Sequence, residues 1–151
     1  MDNPKIIYLD VCVLCRPFDD QSYLRIRMET EAVNLILSNM KKGKYVLAVS
    51  KVHLTEIDSI SNIYERVQLK TILDEFGLPT SVNILEVRER AEVLVRKGFG
   101  IADAAHIAFA EKGTASFFIT CDDRLLKKCL NNKIKVQCTN PVIFCEMEKL
   151  K

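Results

Sequence analysis

Four carboxylates from distant parts of the chain could together hold a cation. They are Asp10, Glu56, Asp103 and Asp122. Two like charges ~5 Å apart repel by roughly 3 kcal/mol at an effective dielectric constant near 20, so a cluster of acids is most stable around a divalent ion. An all-oxygen ligand set suits Mg²⁺ or Mn²⁺, and Mg²⁺ typically keeps water and substrate phosphate among its ligands. The four acids therefore predict a magnesium or manganese site.

Glu56 is the most informative of the four because it interrupts an apolar helix face. Val52, Glu56 and Ile60 are spaced to lie on one stripe of a helix. A buried carboxylate without a partner is costly, and this stripe carries no lysine or arginine. A cation from solution would supply the missing partner.

The other acids also have simpler interpretations. Asp122 and Asp123 follow an apolar run and are typical of a turn or of a helix N-cap. Asp103, near the start of a helix, complements the helix dipole. His106 lies three residues after Asp103, on the same side of that helix. It is either a general base or, as we favour, a hydrogen-bonding histidine beside the site.

The elements that would position these residues alternate between short apolar runs and amphipathic segments. The runs predict strands at 5–9, 45–49, 82–87, 115–120 and 135–138. Helical spacing predicts helices at 21–42, 51–76 with a break near Ser61–Asn62, 88–97, 101–113, 123–132 and from Asn140, where Pro141 follows as the first helical residue. Such alternation favours a parallel sheet covered on both faces. Ligands bind beyond the carboxyl ends of its strands, where Asp10 and Asp122 lie.

Length and composition set the class of protein. The 151 residues suit one domain, 1–151, and 48% hydrophobic with 28% charged residues indicate a globular chain. A net charge of +2 gives no indication of nucleic-acid binding, so a phosphate-binding surface requires local clustering of basic residues. No apolar run is long enough for a membrane span, and the N-terminus lacks a signal-peptide pattern. We therefore expect a cytoplasmic protein with no membrane partner.

The six cysteines are expected to be reduced thiols in the cytosol rather than a disulfide framework. Only Cys12 and Cys15 form a CxxC pair. One such pair, without a second pair or well-spaced histidines, is weak support for a zinc site or a thioredoxin-like site. Packed cysteines are the favoured interpretation.

Four stretches together resemble a PIN-domain ribonuclease of the VapC toxin type. They are IIYLDVCVLCRPFDD (6–20), VSKVHLTEI (49–57), GIADAAHIAFAEKGTASFFITCDDRLLKK (100–128) and NPVIF (140–144). They occur in the family's order and span almost the whole chain. The resemblance implies an α/β fold, a three-layer α/β/α sandwich with a mostly parallel central sheet. It also implies endonucleolytic hydrolysis of RNA that depends on Mg²⁺ or Mn²⁺, an antitoxin partner and a homodimer.

The resemblance also implies roles for individual residues. The family's metal-binding and catalytic acids match Asp10, Glu56, Asp103 and Asp122. Thr120 matches the threonine of its Thr-x-Asp motif and would position a carboxylate or a water. Asp123 lies beside the acid of that motif and ranks below Asp122.

One position departs from the family pattern. The residue after the first acid is usually Thr or Ser, whose hydroxyl helps to orient a metal ligand or its water, and here it is Val11. This lowers the expected activity. It also leaves an alternative open, a PIN-fold protein- or RNA-binding module with weak or no catalysis.

Basic residues close to the acids in sequence are candidates for contacts with RNA phosphates. They are Arg16, Lys51, Arg124, Lys127 and Lys128. A solvated helix face is the simpler interpretation of such a charge run. Two other classes are disfavoured. No GxGxxG follows the first strand, as a dinucleotide-binding domain requires, and a dehalogenase-like phosphatase needs an aspartate where Cys12 stands.

Overall fold

Strands and helices alternate along residues 3–151, which a computed structural model describes. The strands are β1 Lys5–Leu9, β2 Tyr45–Val49, β3 Gly77–Pro79, β4 Phe117–Ile119 and β5 Gln137–Thr139. The helices are α1 Val11–Cys15, α2 Leu24–Lys41, α3 Lys51–Asp58, α4 Ile63–Phe76, α5 Ile84–Arg96, α6 Ile101–Lys112, α7 Asp123–Leu130 and α8 Pro141–Met147. A 3₁₀ turn at Arg16–Phe18 follows α1.

The strands form one parallel sheet in the order β3-β2-β1-β4-β5. β1 lies in the centre, where Ile7 pairs with Leu47 of β2 on one side and with Phe117 of β4 on the other. The direction of winding reverses between β1 and β4. In open sheets of this type, ligands bind beyond the carboxyl ends of the strands at that reversal. The topology therefore points to the end of β1 and the end of β4 as the place for a site.

Helices cover both faces of the sheet. Alternate residues of each strand point to opposite faces, so each strand contributes to two apolar cores. Ile7 and Leu9 of β1 belong to one apolar core, which packs against α1, α2, α4 and α8. Tyr8, between them, belongs to a second core against α5, α6 and α7. The predicted three-layer α/β/α sandwich is confirmed, and its sheet is entirely parallel among the described residues.

The prediction of a strand at 82–87 is wrong. Asn83 instead caps α5, and its side chain accepts hydrogen bonds from the amides of Leu85 and Glu86 at 3.0 and 3.3 Å. The edge strand at this point is β3, Gly77–Pro79, whose glycine and proline are typical of the end of a helix. A Cβ on Gly77 would lie 2.1 Å from the carbonyl oxygen of Leu73, so the close approach requires glycine.

Other boundaries agree more closely with the predictions. The helical stretch 51–76 breaks after Asp58 and resumes at Ile63, where Asn62 caps α4 by accepting from the amide of Glu65 at 3.0 Å. Asn140 caps α8 in the same way, through the amide of Ile143 at 2.8 Å. Helix α1 had no counterpart in the predicted elements. Among the described helices, none combines the length and apolarity that crossing a membrane requires.

Candidate metal centre

Asp10 lies at the carboxyl end of the central strand and is 7% exposed. Its amide donates to the carbonyl of Ile119 at 2.9 Å, which extends the pairing of β1 with β4 by one residue. Its side chain makes no capping bond to α1. Oδ2 instead accepts a hydrogen bond from the hydroxyl of Thr120 at 2.8 Å. The carboxylate is therefore aimed across the sheet edge by a residue 110 positions further along the chain.

Thr120 is fully buried and connects two of the predicted acids. Its amide donates to the carbonyl of Thr139 at 3.0 Å, which fixes its backbone in the sheet. Its hydroxyl donates to Asp10 and accepts from the amide of Asp122 at 3.1 Å. Both hydrogen-bonding capacities of the hydroxyl are used, so Thr120 sets the orientation of Asp10 and the path of the loop that carries Asp122.

Glu56 and His106 complete a close group with Asp10. The Nε2 atom of His106 is hydrogen-bonded to Oε1 of Glu56 and lies 3.8 Å from Oδ1 of Asp10. One potential ligand atom from each of the three residues lies within 4.8 Å of the others. The hydrogen bond from His106 lowers the pKa of Glu56. Glu56 is therefore held as a carboxylate, and its partner is a histidine from α6 rather than a lysine or an arginine.

A buried polar network supports His106 from behind. Its Nδ1 lies 2.5 Å from the hydroxyl of Tyr8, which lies 2.7 Å from the hydroxyl of Ser50. Burial raises the pKa of Tyr8, so the phenol keeps its proton. Because Nε2 of His106 faces only carboxylate oxygens here, it is the donor in its bond to Glu56, and Nδ1 is hydrogen-bonded to Tyr8. Hydrogen bonds thus run from Tyr8 through His106 to Glu56.

His53 anchors the far end of this network. Its Nδ1 accepts the amide N–H of Ser50 at 3.1 Å, and its Nε2 donates to the carbonyl of Leu9 at 2.7 Å. Burial lowers the pKa of His53 to about 4, which keeps the ring neutral, as both bonds require. Tyr8, Ser50 and His53 were not among the predicted site residues. The one signal in the sequence was a serine between a strand and a helix, which is typical of an N-cap.

Asp103 lies in the first turn of α6, half-buried and beside the other acids. Burial raises the pKa of its carboxyl group, and the charges of Asp10 and Asp122 raise it further. Within residues 3–151, the close group of three does not include Asp103 or Asp122. The four predicted acids therefore converge on one edge, with two in contact through His106 and two lying further out.

Asp122 caps α7 and is exposed. Its Oδ1 accepts from the amides of Arg124 and Leu125 at 2.9 and 3.2 Å. One of its two carboxylate oxygens therefore caps the helix, as the sequence suggested. Asp123 points to a different partner. Both of its carboxylate oxygens accept from the guanidinium of Arg25, at 2.6 and 2.8 Å, and this lowers the pKa of Asp123.

The predicted phosphate-binding residues differ in their surroundings. Arg16 is used internally, since it donates to Asp19 at 2.8 Å and to Glu29 at 3.0 Å. Lys51, at the start of α3, and Arg124 and Lys127, on α7, are exposed. Lys51 follows β2 and Arg124 follows β4, so both start from the edge of the sheet at which the acids lie.

The cysteines are all free thiols, including the CxxC pair. Sγ of Cys12 lies 3.5 Å from the hydroxyl of Thr120 and accepts from the amide of Cys121 at 3.5 Å. Burial raises the pKa of Cys15 to about 12, which disfavours a thiolate. Both residues are half-buried and pack against the core beside α1, and Cys12 also contacts the loop after β4.

The donor set at this edge fits a hard divalent cation. Asp10, Glu56, Asp103 and Asp122 offer only oxygen atoms. Burial and the charges of Asp10 and Asp122 raise the pKa of Asp103, and a bound cation would relieve the repulsion. Oxygen-only sites of this kind select Mg²⁺ or Mn²⁺ over softer metals.

Comparison with known proteins identifies the fold. The sequence matches no protein-family model and no curated protein sequence with which it was compared. Solved structures that are similar to this one include FitAB, VapBC2 and PAE2754. FitAB bound to an IR36 DNA fragment is 19% identical with a TM-score of 0.53, over 90% of this chain and 95% of that one. VapBC2 from Rickettsia felis, bound to a DNA fragment from its promoter, is 19% identical with a TM-score of 0.52, over 89% and 98%. PAE2754 from Pyrobaculum aerophilum is 16% identical with a TM-score of 0.53, over 98% and 92%.

These likenesses establish the fold, and they agree with the resemblance found in the sequence. The chain has the PIN-like fold of these proteins, so the predicted fold is confirmed.

Proposed function

We propose that this protein is a divalent-metal-dependent endoribonuclease that hydrolyses RNA phosphodiester bonds. The observation that carries the proposal is the convergence of acids from β1, α3, α6 and the loop after β4 on one edge of the sheet. Asp10, Glu56 and His106 lie within 4.8 Å of one another there, and the charges of Asp10 and Asp122 act on Asp103. The repulsion on Asp103 is unfavourable without a cation, and a divalent ion at this edge would relieve it and promote hydrolysis.

Asp10 and Asp103 would be the chief metal ligands, supported by Glu56 and Asp122. A bound Mg²⁺ or Mn²⁺ would polarise a phosphate oxygen and make a water molecule more acidic. The chain itself supplies orientation. Thr120 fixes Asp10 through a 2.8 Å hydrogen bond, and His106 holds Glu56 in its ionised form. A carboxylate held in this way can orient a water for in-line attack on phosphorus, and we expect products with 5′-phosphate and 3′-hydroxyl ends.

The contact between Thr120 and Asp10 bears on the alternative of a binding module with weak or no catalysis. Val11 is 6% exposed and packs in the core, so it offers no hydroxyl to the site. Thr120 supplies one to the same carboxylate. The carboxylate of Asp10 is therefore oriented even though position 11 is neither Thr nor Ser, and this favours the nuclease over the binding module.

The similar complexes suggest the biological setting. FitAB and VapBC2 are each described as bound to DNA, and VapBC2 to DNA from its own promoter. We propose by analogy that this chain acts in the cytoplasm as the toxin of a toxin–antitoxin pair, with an antitoxin protein and a second copy of itself as partners. Light scattering after size-exclusion chromatography would test the homodimer. Co-expression with the neighbouring open reading frame, followed by purification on a tag, would test the antitoxin.

A thermal unfolding series with Mg²⁺ and Mn²⁺ tests the metal site without knowledge of the RNA substrate. An ion that binds only the folded state raises its stability by about 2.7 kcal/mol at one hundred times its Kd. We expect this rise in the wild type and its loss in Asp103→Asn. A wild type that gains no stability and cleaves no RNA at millimolar metal would contradict the proposal and favour the binding module.

A further inference from the structure

Arg25, in the first turn of α2, contacts the loop that carries Asp122 on both sides of that residue. Its guanidinium donates to the carbonyl of Cys121 at 3.1 Å. It also donates to both carboxylate oxygens of Asp123, at 2.6 and 2.8 Å. Cys121 and Asp123 are the immediate neighbours of Asp122, and Arg25 lies 98 positions before Asp123. One side chain from a distant helix thus spans the loop at the residue proposed as a metal ligand.

A buried acid fixes the position of Arg25. Glu29, one helical turn later, has a side chain only 4% exposed, and its Oε1 lies 3.4 Å from Nε of Arg25. The same oxygen accepts from Nε of Arg16 at 3.0 Å. A buried carboxylate is stable only when it is paired, and here two guanidiniums share it. Glu29 therefore orients Arg25 toward the loop, and it keeps Arg16 as a partner if Arg25 is removed.

The loop has few other contacts that would fix the carboxylate of Asp122. The amide of Asp122 is bonded to Thr120, and its Oδ1 is bonded to the start of α7. The first contact ties the backbone of Asp122 to the end of β4, and the second lies within the segment itself, so neither joins the carboxylate to α2. The contacts from Arg25 join this segment to another helix, and they use the planar fork of arginine to reach a carboxylate and a carbonyl at once. A lysine could satisfy only part of this set.

We infer that Arg25 is a positioning residue of the metal centre. It holds Asp122 where this carboxylate can bind the metal ion together with Asp10 and Asp103. The inference rests on the proposed function, since it assigns a role in metal affinity. Arg25 does not touch the acids that would bind the ion. It acts through the backbone of residues 121–123 and through Asp123. This role also explains why Asp123 is paired with arginine instead of facing the other acids.

The test is the affinity for Mn²⁺, measured by the electron paramagnetic resonance signal of the free ion, in the full chain without RNA. Loss of a group that orients a metal ligand typically weakens binding by about 10–100-fold. We expect about 10-fold in Arg25→Gln and a smaller loss in Arg25→Lys. Lys70→Gln is the matched control. It removes an ion pair with Asp58 at 2.6 Å that is about as exposed as the pair between Arg25 and Asp123.

Amide hydrogen exchange in the metal-free proteins gives a second, independent readout. Arg25→Gln should speed exchange at Asp122, Arg124 and Leu125 and leave the amides of the strand β1 unchanged. Unchanged exchange at these amides, or equal Mn²⁺ affinity of Arg25→Gln and wild type, would overturn the role of Arg25 alone. A wild type that binds no Mn²⁺ would overturn the proposed function, and this inference with it.

Discussion

The two sides of the acid cluster are built in different ways. On the inner side, Asp10 and Glu56 are held by Thr120 and His106, which are fully or almost fully buried. On the outer side, Asp122 is exposed, and its loop is held by an arginine whose side chain is 52% exposed. Buried hydrogen bonds are costly to break, whereas exposed ion pairs contribute little to stability. Changes on the inner side should therefore mainly alter the stability of the fold, and changes on the outer side should mainly alter the affinity for the metal ion.

Asp10→Asn should have the largest effect, because it removes a chief ligand of the proposed metal ion at the end of the central strand. We expect RNA cleavage in Mn²⁺ to fall below detection while the fold is retained, since asparagine preserves the shape and can still accept from Thr120. Cleavage of a labelled RNA and circular dichroism would be measured together. Asp58→Asn, at the exposed end of α3, is the control and should retain activity. Full activity in Asp10→Asn would remove Asp10 from the metal site.

Tyr8→Phe tests the inner side through stability. It leaves Nδ1 of His106 buried without its partner, which should lower the free energy of unfolding by about 1–3 kcal/mol. Tyr45→Phe is the matched control. Tyr45 donates to Glu148 at 2.8 Å, and Glu148 also has Lys5 as a partner, so a loss of about 0.5–1.5 kcal/mol is expected. Urea denaturation measures both, and an equal or smaller loss in Tyr8→Phe would contradict the importance of the buried network.

Asp103 and Glu56 should respond to neutralisation with opposite signs in the metal-free protein. The folded-state pKa of Asp103 is raised, so its charge destabilises the fold at pH values above that pKa. Asp103→Asn should then raise the melting temperature at pH 7, by about 2–4 °C for each kcal/mol regained. This gain should vanish below the unfolded-state pKa of about 3.9, where both states are protonated.

The pKa of Glu56 is lowered, so its charge stabilises the fold above its unfolded-state pKa. That contribution is lost as the pH falls through the folded-state pKa. Glu56→Gln should therefore lower the melting temperature at pH 7. Calorimetry of the two variants across pH 3–8 gives both signs, and shifts in the same direction would contradict the contrast between the two sides.

Arg124→Ala and Lys127→Ala should have the smallest effects, confined to RNA binding. Each phosphate contact to a single strand contributes about 0.7 to the slope of log affinity against log salt concentration. A shallower slope by about that amount is expected for each variant in fluorescence anisotropy titrations. Lys44 directly precedes β2 and lies at the amino ends of the strands, away from the acids, so Lys44→Ala should leave the slope unchanged. An equal change in Lys44→Ala would mean that the effect reflects total charge.

The sequence predicted most elements because their patterns are local. The apolar runs at 5–9 and 45–49 match β1 and β2 at both ends. The edge strand β3 was missed because three residues with a glycine and a proline have the composition of a turn. The strand predicted at 82–87 failed because Asn83 starts a helix that overrides a short apolar run.

The site was predictable only in part, for a related reason. The position of Glu56 on an apolar stripe indicated that it needed a partner, and this is a local signal. The partner itself is His106, 50 positions away, and no spacing in the sequence could reveal that contact. Arg25 gave no signal at all, because an arginine in the first turn of an amphipathic helix looks like any solvated residue. Its role depends on the packing of α2 beside the loop after β4.

The central position of β1 has a consequence for the protein during its own synthesis. β1 leaves the ribosome well before β4, its partner in the sheet, and Asp10 needs a hydroxyl from a residue 110 positions later. A nascent chain that lacks its last third cannot bring the acids together, whatever it has folded so far. The proposed nuclease would thus stay inert beside ribosomal and messenger RNA until Asp122 has been synthesised, without any inhibitor bound.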